Sequence, residues 1–151
     1  LAGHGRPAGG LAGFRRSHRE AAEAVRVAEL AGRGGASVTR YDHVRLASVC
    51  SADPAWCRAF VVEELGALAA DDDTTRRLRA TLEAYFAENS SFRATGKRLG
   101  VHHNTVRYRL EAVERLLGHP VHERRLPLEL ALHLASRLGP WIVARPGDTA
   151  T

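Results

Sequence analysis

The sequence predicts a mainly α-helical protein, in which a partial α/β segment is followed by a C-terminal helix-turn-helix bundle. Apolar residues recur at helical spacing over most of the chain, and only one short stretch alternates as a strand does. Two helical patterns separated by Gly100 lie in the most basic part of the chain. From these observations we divide the 151 residues into segments 1–70 and 71–138 and a loose tail, 139–151.

The composition is that of a globular protein, with 44% apolar and 26% charged residues. No stretch approaches the roughly 18 uninterrupted apolar residues that a membrane helix needs, and no signal peptide is visible. We therefore expect a cytoplasmic protein. Cys50 and Cys57 are too few for a disulfide framework and are expected to be free thiols. Because the chain begins at Leu1 and has no methionine, we expect it to be a piece of a longer protein.

The first helix of segment 1–70 is predicted from a capping pattern. Residues 1–16 are rich in glycine and arginine and show no clear period. In residues 17–20, S-H-R-E, the serine and the glutamate can satisfy each other's orphan backbone amides. An alanine-rich helix should follow to about Leu30, and the glycine-rich residues 32–36 should end it.

One strand and two further helices are predicted in the same segment. Residues 37–41, S-V-T-R-Y, alternate and are β-branched, which favours a short strand. Asp42 is predicted to cap a brief helix, and Asp53-Pro54 to begin another with proline at its first position. The apolar face of that helix is predicted at Cys57, Val61, Leu65 and Leu68. A lone strand is not a complete sheet, so the segment is predicted to be part of a larger α/β domain.

Segment 71–138 is predicted to form a series of helices. The acidic residues 71–73 favour a helix start, because negative charge stabilises the positive end of the helix dipole. The helix that follows, to about Asn89, has an apolar stripe at Leu78, Leu82, Tyr85 and Phe86. After it, a short helix, a longer helix and a last helix are predicted at residues 92–99, about 103–117 and 127–138.

The second and third of these helices have the sequence form of a helix-turn-helix. Gly100 can take the left-handed conformation that a tight turn needs, and small Gly96 lies where the helices would cross closely. The longer helix is predicted to turn four apolar residues inward, namely Val106, Leu110, Val113 and Leu117.

The positive charge of the chain is concentrated in this motif. Residues 91–125 hold eight arginines and lysines against three glutamates, an excess of five that equals the formal net charge of +5. A localised positive excess attracts polyanions, and nucleic acid first among them. On charge alone, membrane surfaces and acidic proteins remain possible partners. The alternative function is a protein-interaction module whose basic helical edge binds an acidic partner.

These observations predict a sequence-specific DNA-binding protein whose recognition helix, about residues 103–117, enters the major groove. His102 or His103 should occupy the N-cap of that helix. Base contacts are predicted for His103, Asn104, Thr105 and Tyr108. Phosphate contacts are predicted for Arg107 and Arg109 and, from the preceding helix, for Ser91, Arg93 and, more weakly, Lys97. Because such motifs usually bind symmetric half-sites, we expect a homodimer on double-stranded DNA.

Other chemistries find little support in the sequence. The adjacent histidines 102 and 103 project differently and have no cysteine nearby, so no metal site is predicted. Residues 32–35, G-R-G-G, lack the Gly-Lys-Ser/Thr ending of a phosphate loop and read as a turn. We predict neither an enzymatic activity nor a cofactor.

The stretch L-E-A-Y-F-A-E-N-S-S-F-R-A-T-G-K-R-L-G-V-H-H-N-T-V-R-Y-R-L, followed by R-R-L-P-L-E-L-A-L-H-L, resembles the C-terminal helix-turn-helix of PucR/CdaR-type bacterial transcriptional regulators. Upstream, G-L-A-G-F-R-R-S-H-R-E and V-T-R-Y-D-H-V-R-L-A-S-V resemble the end of the degenerate GGDEF-like domain that precedes this module in the family. The likeness extends over roughly residues 9–138. The family commonly has arginine in place of His103 and alanine in place of Gly96.

The resemblance implies a cytoplasmic regulator whose effector is sensed by an N-terminal domain absent from this chain. It implies that segment 1–70 is a partial GGDEF-like regulatory segment that does not make a cyclic dinucleotide. The helix-turn-helix is also similar to that of the Fis nucleoid protein. By that analogy the residues facing DNA are Ser91, Arg93, His102, His103, Thr105 and Tyr108.

Overall fold

The structure, a computed structural model, describes residues 1–32 and 38–143. These residues are mainly α-helical and include one small sheet of two parallel strands, which confirms the predicted fold class. In the described part of the chain, no helix has the length and apolar character needed to cross a membrane. Residues 33–36 of the predicted turn that starts at Gly32, residue 37 of the predicted strand and residues 144–151 of the predicted tail lie outside the described residues.

The chain divides into two compact units, and each is described by itself. The first unit consists of residues 1–59 and 134–142, and the second of residues 60–133 with Val143. The predicted boundary between residues 70 and 71 lies inside the second unit. As a division into functional domains, that boundary stays a prediction.

The first unit is built on a strand–helix–strand pattern. In chain order its elements are β1 (Ala2–His4), α1 (Gly10–Leu30), β2 (Val38–Arg40), α2 (Tyr41–Cys50) and the start of α3 (Pro54–Leu65). From residue 134 onward, the unit also contains the end of the last helix and a 3₁₀ turn (Pro140–Ile142). The two strands run parallel, with Ala2 opposite Val38 and His4 opposite Arg40. A Cβ atom at Gly3 would lie 1.9 Å from the carbonyl oxygen of Ala21, so only glycine lets β1 pack this closely on α1.

Two predictions for the N-terminal region are wrong. No strand was predicted before residue 37, yet β1 pairs with β2 there. The predicted capping box at residues 17–20 lies inside α1, which begins at Gly10 without a side-chain cap. Glu20 instead accepts hydrogen bonds from the backbone and guanidinium of Arg6, and these bonds lower the pKa of its carboxyl from 4.5 to about 2.

The predictions for α2 and α3 are partly confirmed. Asp42 lies in the first turn of α2 and does not cap it, because the N-cap position belongs to Arg40. Asp53 does cap α3, accepting hydrogen bonds from the amides of Ala55 and Trp56 at 3.0 and 3.1 Å. The predicted apolar face is confirmed, since Cys57, Val61, Leu65 and Leu68 are all buried. Burial raises the pKa of the Cys57 thiol to about 11, and both cysteines are free.

Arg26 ties α1 to the end of α2 within the first unit. Its guanidinium bonds the Glu23 carboxylate and donates to the backbone carbonyls of Ser48 and Ser51 at 2.9 Å each. Ser48 and Ser51 are buried, so these carbonyls have little access to water. Arg26 therefore satisfies acceptors that would otherwise be buried without a partner.

The second unit is a bundle of helices. After the end of α3 its elements are a 3₁₀ turn (Gly66–Ala69), α4 (Asp73–Ala87), α5 (Phe92–Leu99), α6 (His103–Leu117) and the beginning of α7 (Arg125–Leu138). The predicted helix start at the acidic run is confirmed, because Asp72 caps α4 in a capping box with Thr75. Its core includes Val61, Leu65, Leu82, Val106, Val113 and Leu128.

The last helix and the tail differ from the prediction. Helix α7 begins at Arg125, two residues before Pro127. Proline is tolerated there because the amides of the first turn have no partner within the helix. Residues 140–142 form a 3₁₀ turn, and Ile142 and Val143 are buried, so the first residues of the predicted tail are not loose.

Candidate nucleic-acid interface

A tight turn connects α4 to α5. Asn89 and Ser90 have φ angles of 50° and 63°, in the left-handed region, and reverse the chain in two residues. Ser91 then caps α5, its hydroxyl oxygen accepting a hydrogen bond from the amide of Ala94 at 3.3 Å. The hydroxyl hydrogen of this exposed serine is left available for another acceptor, as its predicted phosphate contact requires.

The turn between α5 and α6 has the predicted helix-turn-helix form. Gly100 takes the left-handed conformation with φ of 66°. The amide of Val101 donates to the carbonyl of Gly96 at 2.9 Å. A Cβ atom at Gly96 would lie 2.7 Å from the carbonyl oxygen of Val101, so the predicted close crossing at Gly96 is confirmed.

Helix α6 begins as the sequence predicts. His102 is the N-cap, and its Nδ1 accepts a hydrogen bond from the amide of Asn104 at 3.3 Å. The rings of His102 and His103 lie 4.1 Å apart between centroids. Burial, followed by the nearby positive charges of His102, Arg93 and Arg107, lowers the pKa of His103 from its ordinary 6.5.

The inward face of α6 is largely as predicted. Val106, Leu110 and Val113 are buried, whereas Leu117 is half-buried. On the opposite face Asn104, Arg107, Tyr108 and Glu111 are exposed, and Tyr108 has 68% of its surface accessible.

Two residues predicted to be outward or flanking are less exposed than expected. Thr105 and Arg109 are half-buried. The guanidinium of Arg109 donates to the hydroxyl of Thr81 on α4 at 3.2 Å. Arg109 therefore contributes to packing within the second unit, and its predicted phosphate contact competes with this bond.

Six of the eight basic residues in residues 91–125 fall into two groups. Three arginines are held by carboxylates: Arg98 by Glu88 at 3.0 Å, Arg125 by Glu129 at 2.9 Å, and Arg124 by Glu64. Within the described residues, no ion pair involves Arg93, Lys97 or Arg107. Arg93 and Lys97 are exposed and one helical turn apart on α5, so they lie on the same face.

Arg93, His102, His103 and Arg107 form one cluster, which we call the basic edge. Its members come from the first turn of α5 and the first two turns of α6. The guanidinium of Arg107 lies over the ring of Phe92, 5.7 Å from its centroid, and so leans toward α5. This contact could not be predicted from the sequence, because its two residues are on different helices and no periodic pattern links them.

No group of three metal-binding side chains comes together in residues 1–32 and 38–143. The basic edge presents cationic and neutral hydrogen-bond donors on a rigid pair of helices. This arrangement is chemically suited to phosphate oxygens and to base edges. The fold and the site thus define a helix-turn-helix domain.

One family model matches part of this chain. Residues 78–134 match the family model of the PucR C-terminal helix-turn-helix domain. The GGDEF-like part of the sequence resemblance is not covered by this match.

Two other proteins are similar to this chain in sequence or structure. Over 54 residues, 36% of this chain, the sequence is 50% identical to an uncharacterized protein in the pkwA 5′ region of Thermomonospora curvata. The chain is also similar to the crystal structure of a regulator of polyketide synthase expression from Bifidobacterium adolescentis, with 25% identity over 84% of the chain and a TM-score of 0.43. The chain spans 30% of the length of the first protein and 52% of the second.

Proposed function

We propose that the chain is the DNA-binding part of a transcriptional regulator, with no enzymatic activity of its own. The observation that carries the proposal is the basic edge, whose two arginines have no carboxylate partner and lie on a PucR-type helix-turn-helix domain. A cation without an internal partner that is also exposed keeps its full attraction for an external anion. The domain family makes double-stranded DNA the favoured anion.

In this proposal α6 lies in the major groove with its N-terminal end toward the bases. Asn104 and Tyr108, which are both exposed, read base edges, and Asn104 suits adenine because its amide both donates and accepts. Arg93 and Arg107 contact phosphates, and Ser91 reaches the backbone from the cap of α5. His103 and Thr105, both half-buried, can contact DNA only with their exposed edges.

The proposal extends to the assembly and to the remaining segment. We expect a homodimer on a pseudo-palindromic site in the cytoplasm, since symmetric proteins bind symmetric half-sites. The parallel β1–α1–β2 unit supports a partial GGDEF-like segment in residues 1–70. The effector would be sensed by another domain. Sedimentation of the chain with and without duplex would test the dimer, because a monomer in both states contradicts it.

The test of DNA binding is fluorescence anisotropy on a labelled 30-base-pair duplex across a salt series. We compare the parent chain with an Arg93→Ala/Arg107→Ala variant. Each lost phosphate contact should flatten the log–log salt slope by about 0.9, so the slope should fall by about two units. Arg109 is left in place because its substitution would also remove the bond to Thr81.

A matched control has the same change of charge elsewhere. Arg15 and Arg19 are exposed on α1, and Arg15→Ala/Arg19→Ala removes two positive charges from the first unit. The control should keep the slope of the parent chain. Equal slopes for the parent and the Arg93→Ala/Arg107→Ala variant would contradict the proposed interface, and specific binding to an acidic protein would then become the better hypothesis.

A further inference from the structure

Three side chains from three consecutive helices form a stack in the second unit. The rings of Tyr85 on α4 and Phe92 on α5 lie 5.1 Å apart at an angle of 45°. The guanidinium of Arg107 on α6 lies 5.7 Å from the centroid of the same Phe92 ring. Phe92 is therefore in contact with an aromatic ring and with a cation at once.

The position of Phe92 relates this stack to the basic edge. It is the first residue of α5, between the cap residue Ser91 and Arg93. The side chain of Phe92 is half-buried, and that of Arg107 is exposed. No hydrogen bond from the Arg107 guanidinium to another described residue is present, so the stack restrains the side chain without occupying its donors.

A restrained guanidinium with unoccupied donors is prepared for binding. A long side chain loses conformational entropy when a ligand fixes it, and a side chain already restrained in the free protein loses less. Arginine suits this arrangement because its planar group can stack on a ring and still donate from its edge. Lysine has a point charge and no plane to stack.

We propose that Phe92 is a positioning residue, which holds Arg107 toward α5 so that its guanidinium meets a DNA phosphate rather than a base. This inference rests on the proposed function and deepens it, because it assigns Arg107 to affinity and leaves base reading to Asn104 and Tyr108. Tyr85 also contacts the Phe92 ring. The binding contribution of Phe92 then passes through Arg107 alone.

The test is a double-mutant cycle on DNA binding with the full chain and the same labelled 30-base-pair duplex. The variants are Phe92→Leu, Arg107→Ala and the two combined. Phe92→Leu should raise Kd about two- to fivefold, the size of an exposed cation–π contact, and should flatten the salt slope. In the Arg107→Ala background the same substitution should leave Kd unchanged.

Two further variants guard against a purely structural explanation. Phe92→Tyr keeps an aromatic face and should restore Kd to within about twofold of the parent. Arg107→Lys keeps the charge at an exposed site, loses the stacking plane and should raise Kd about as much as Phe92→Leu. If Phe92→Leu fails to fold, the comparison of Arg107→Lys with the parent chain decides, and an unchanged Kd overturns the inference.

The outcomes distinguish this inference from the proposed function. Loss of affinity on Phe92→Leu that is as large in the Arg107→Ala background as in the parent would show that Phe92 acts through the fold, and would overturn the positioning role. An effect of Arg107→Ala without any effect of Phe92→Leu would overturn the positioning role and leave DNA binding standing. No salt-dependent binding by the parent chain would overturn both.

Discussion

The arginines of the first unit and those of the basic edge have the same side chain in opposite surroundings. Arg6 binds the carboxylate of buried Glu20, and Arg26 donates to Glu23 and to two backbone carbonyls. Arg93 and Arg107 have no ion pair among the described residues, and the Arg107 guanidinium lies over the ring of Phe92. We therefore expect Arg6 and Arg26 to stabilise the fold. The charges of Arg93 and Arg107 are not compensated by a carboxylate and can attract an external anion.

The same contrast appears inside the second unit, between neighbours in sequence. Arg98 pairs with Glu88, whereas Lys97 beside it has no ion pair in the described part of the chain. Arg79 is held by the carbonyls of Leu68 and Ala70, and burial lowers its pKa. A count of basic residues therefore overestimates a binding surface, and the internal partners of each cation show which charges are already compensated within the protein.

The largest expected effect is the loss of folding stability on substitution of Arg26, whose guanidinium has several hydrogen-bond partners within the protein. Arg26→Ala removes the donor to the buried Ser48 and Ser51 carbonyls and should lower the free energy of unfolding by about 2–3 kcal/mol. Urea unfolding followed by circular dichroism measures this change. Arg19→Ala, at an exposed position of the same helix, is the matched control and should change stability by less than about 0.5 kcal/mol. Equal stability of the two variants would contradict the structural role of Arg26.

The neighbours Lys97 and Arg98 give a second test with a smaller effect. Lys97→Ala should weaken DNA binding by about threefold on average and flatten the salt slope by about 0.9, because an unpaired cation is lost. Arg98→Ala should leave the slope nearly unchanged, because its charge is already compensated by Glu88. Anisotropy across a salt series measures the slope of each variant. A larger change of slope for Arg98→Ala than for Lys97→Ala would contradict the distinction between paired and unpaired cations.

A pH dependence of stability should report the Arg6–Glu20 pair. The folded pKa of Glu20, about 2, lies below its ordinary 4.5, and the hydrogen bonds from Arg6 are the main cause. The contribution of this pair is therefore complete above about pH 4.5, falls as the pH falls, and is lost near pH 2. Thermal unfolding of the parent and of Glu20→Gln should differ most at neutral pH and converge toward pH 2. A constant difference at all pH values would contradict this assignment.

The smallest expected effect is the contribution of His103 to the pH dependence of DNA affinity. Its pKa lies below 6.5 because of burial and the positive charges of His102, Arg93 and Arg107, so it is mainly neutral at pH 7. DNA phosphates favour the protonated ring, and affinity should rise as the pH falls below 6.5. His103→Gln should reduce this rise, with anisotropy between pH 7.5 and 5.5 as the measurement. An identical pH profile for parent and variant would remove His103 from the interface.

Features that depend on neighbours in sequence could be predicted without the structure. The bounds of α5, the left-handed Gly100 and the cap at Asp53 follow from residues one to four positions apart. The close approach at Gly96 was predicted because Gly96 lies four residues before Gly100, where the two helices would cross closely and a bulky side chain would collide.

Features that depend on distant residues could not be predicted. Strand β1 has three residues and no alternating pattern, and it forms because β2, 36 positions later, pairs with it. Residues 17–20 resemble a capping box, but Glu20 has a better partner in Arg6. The bond from Arg109 to Thr81 joins two helices 28 positions apart, and no spacing rule reaches that far.

The contact at Gly96 has a consequence for altering the protein. Because α5 meets the turn backbone against backbone, the angle between α5 and α6 does not depend on the side chains at positions 104 and 108. Asn104 and Tyr108 are also exposed, so a library of substitutions at these two positions leaves the frame intact. If Asn104 and Tyr108 read base edges as proposed, selection from such a library against variant duplexes should yield new sequence preferences without altering the two helices that carry these residues.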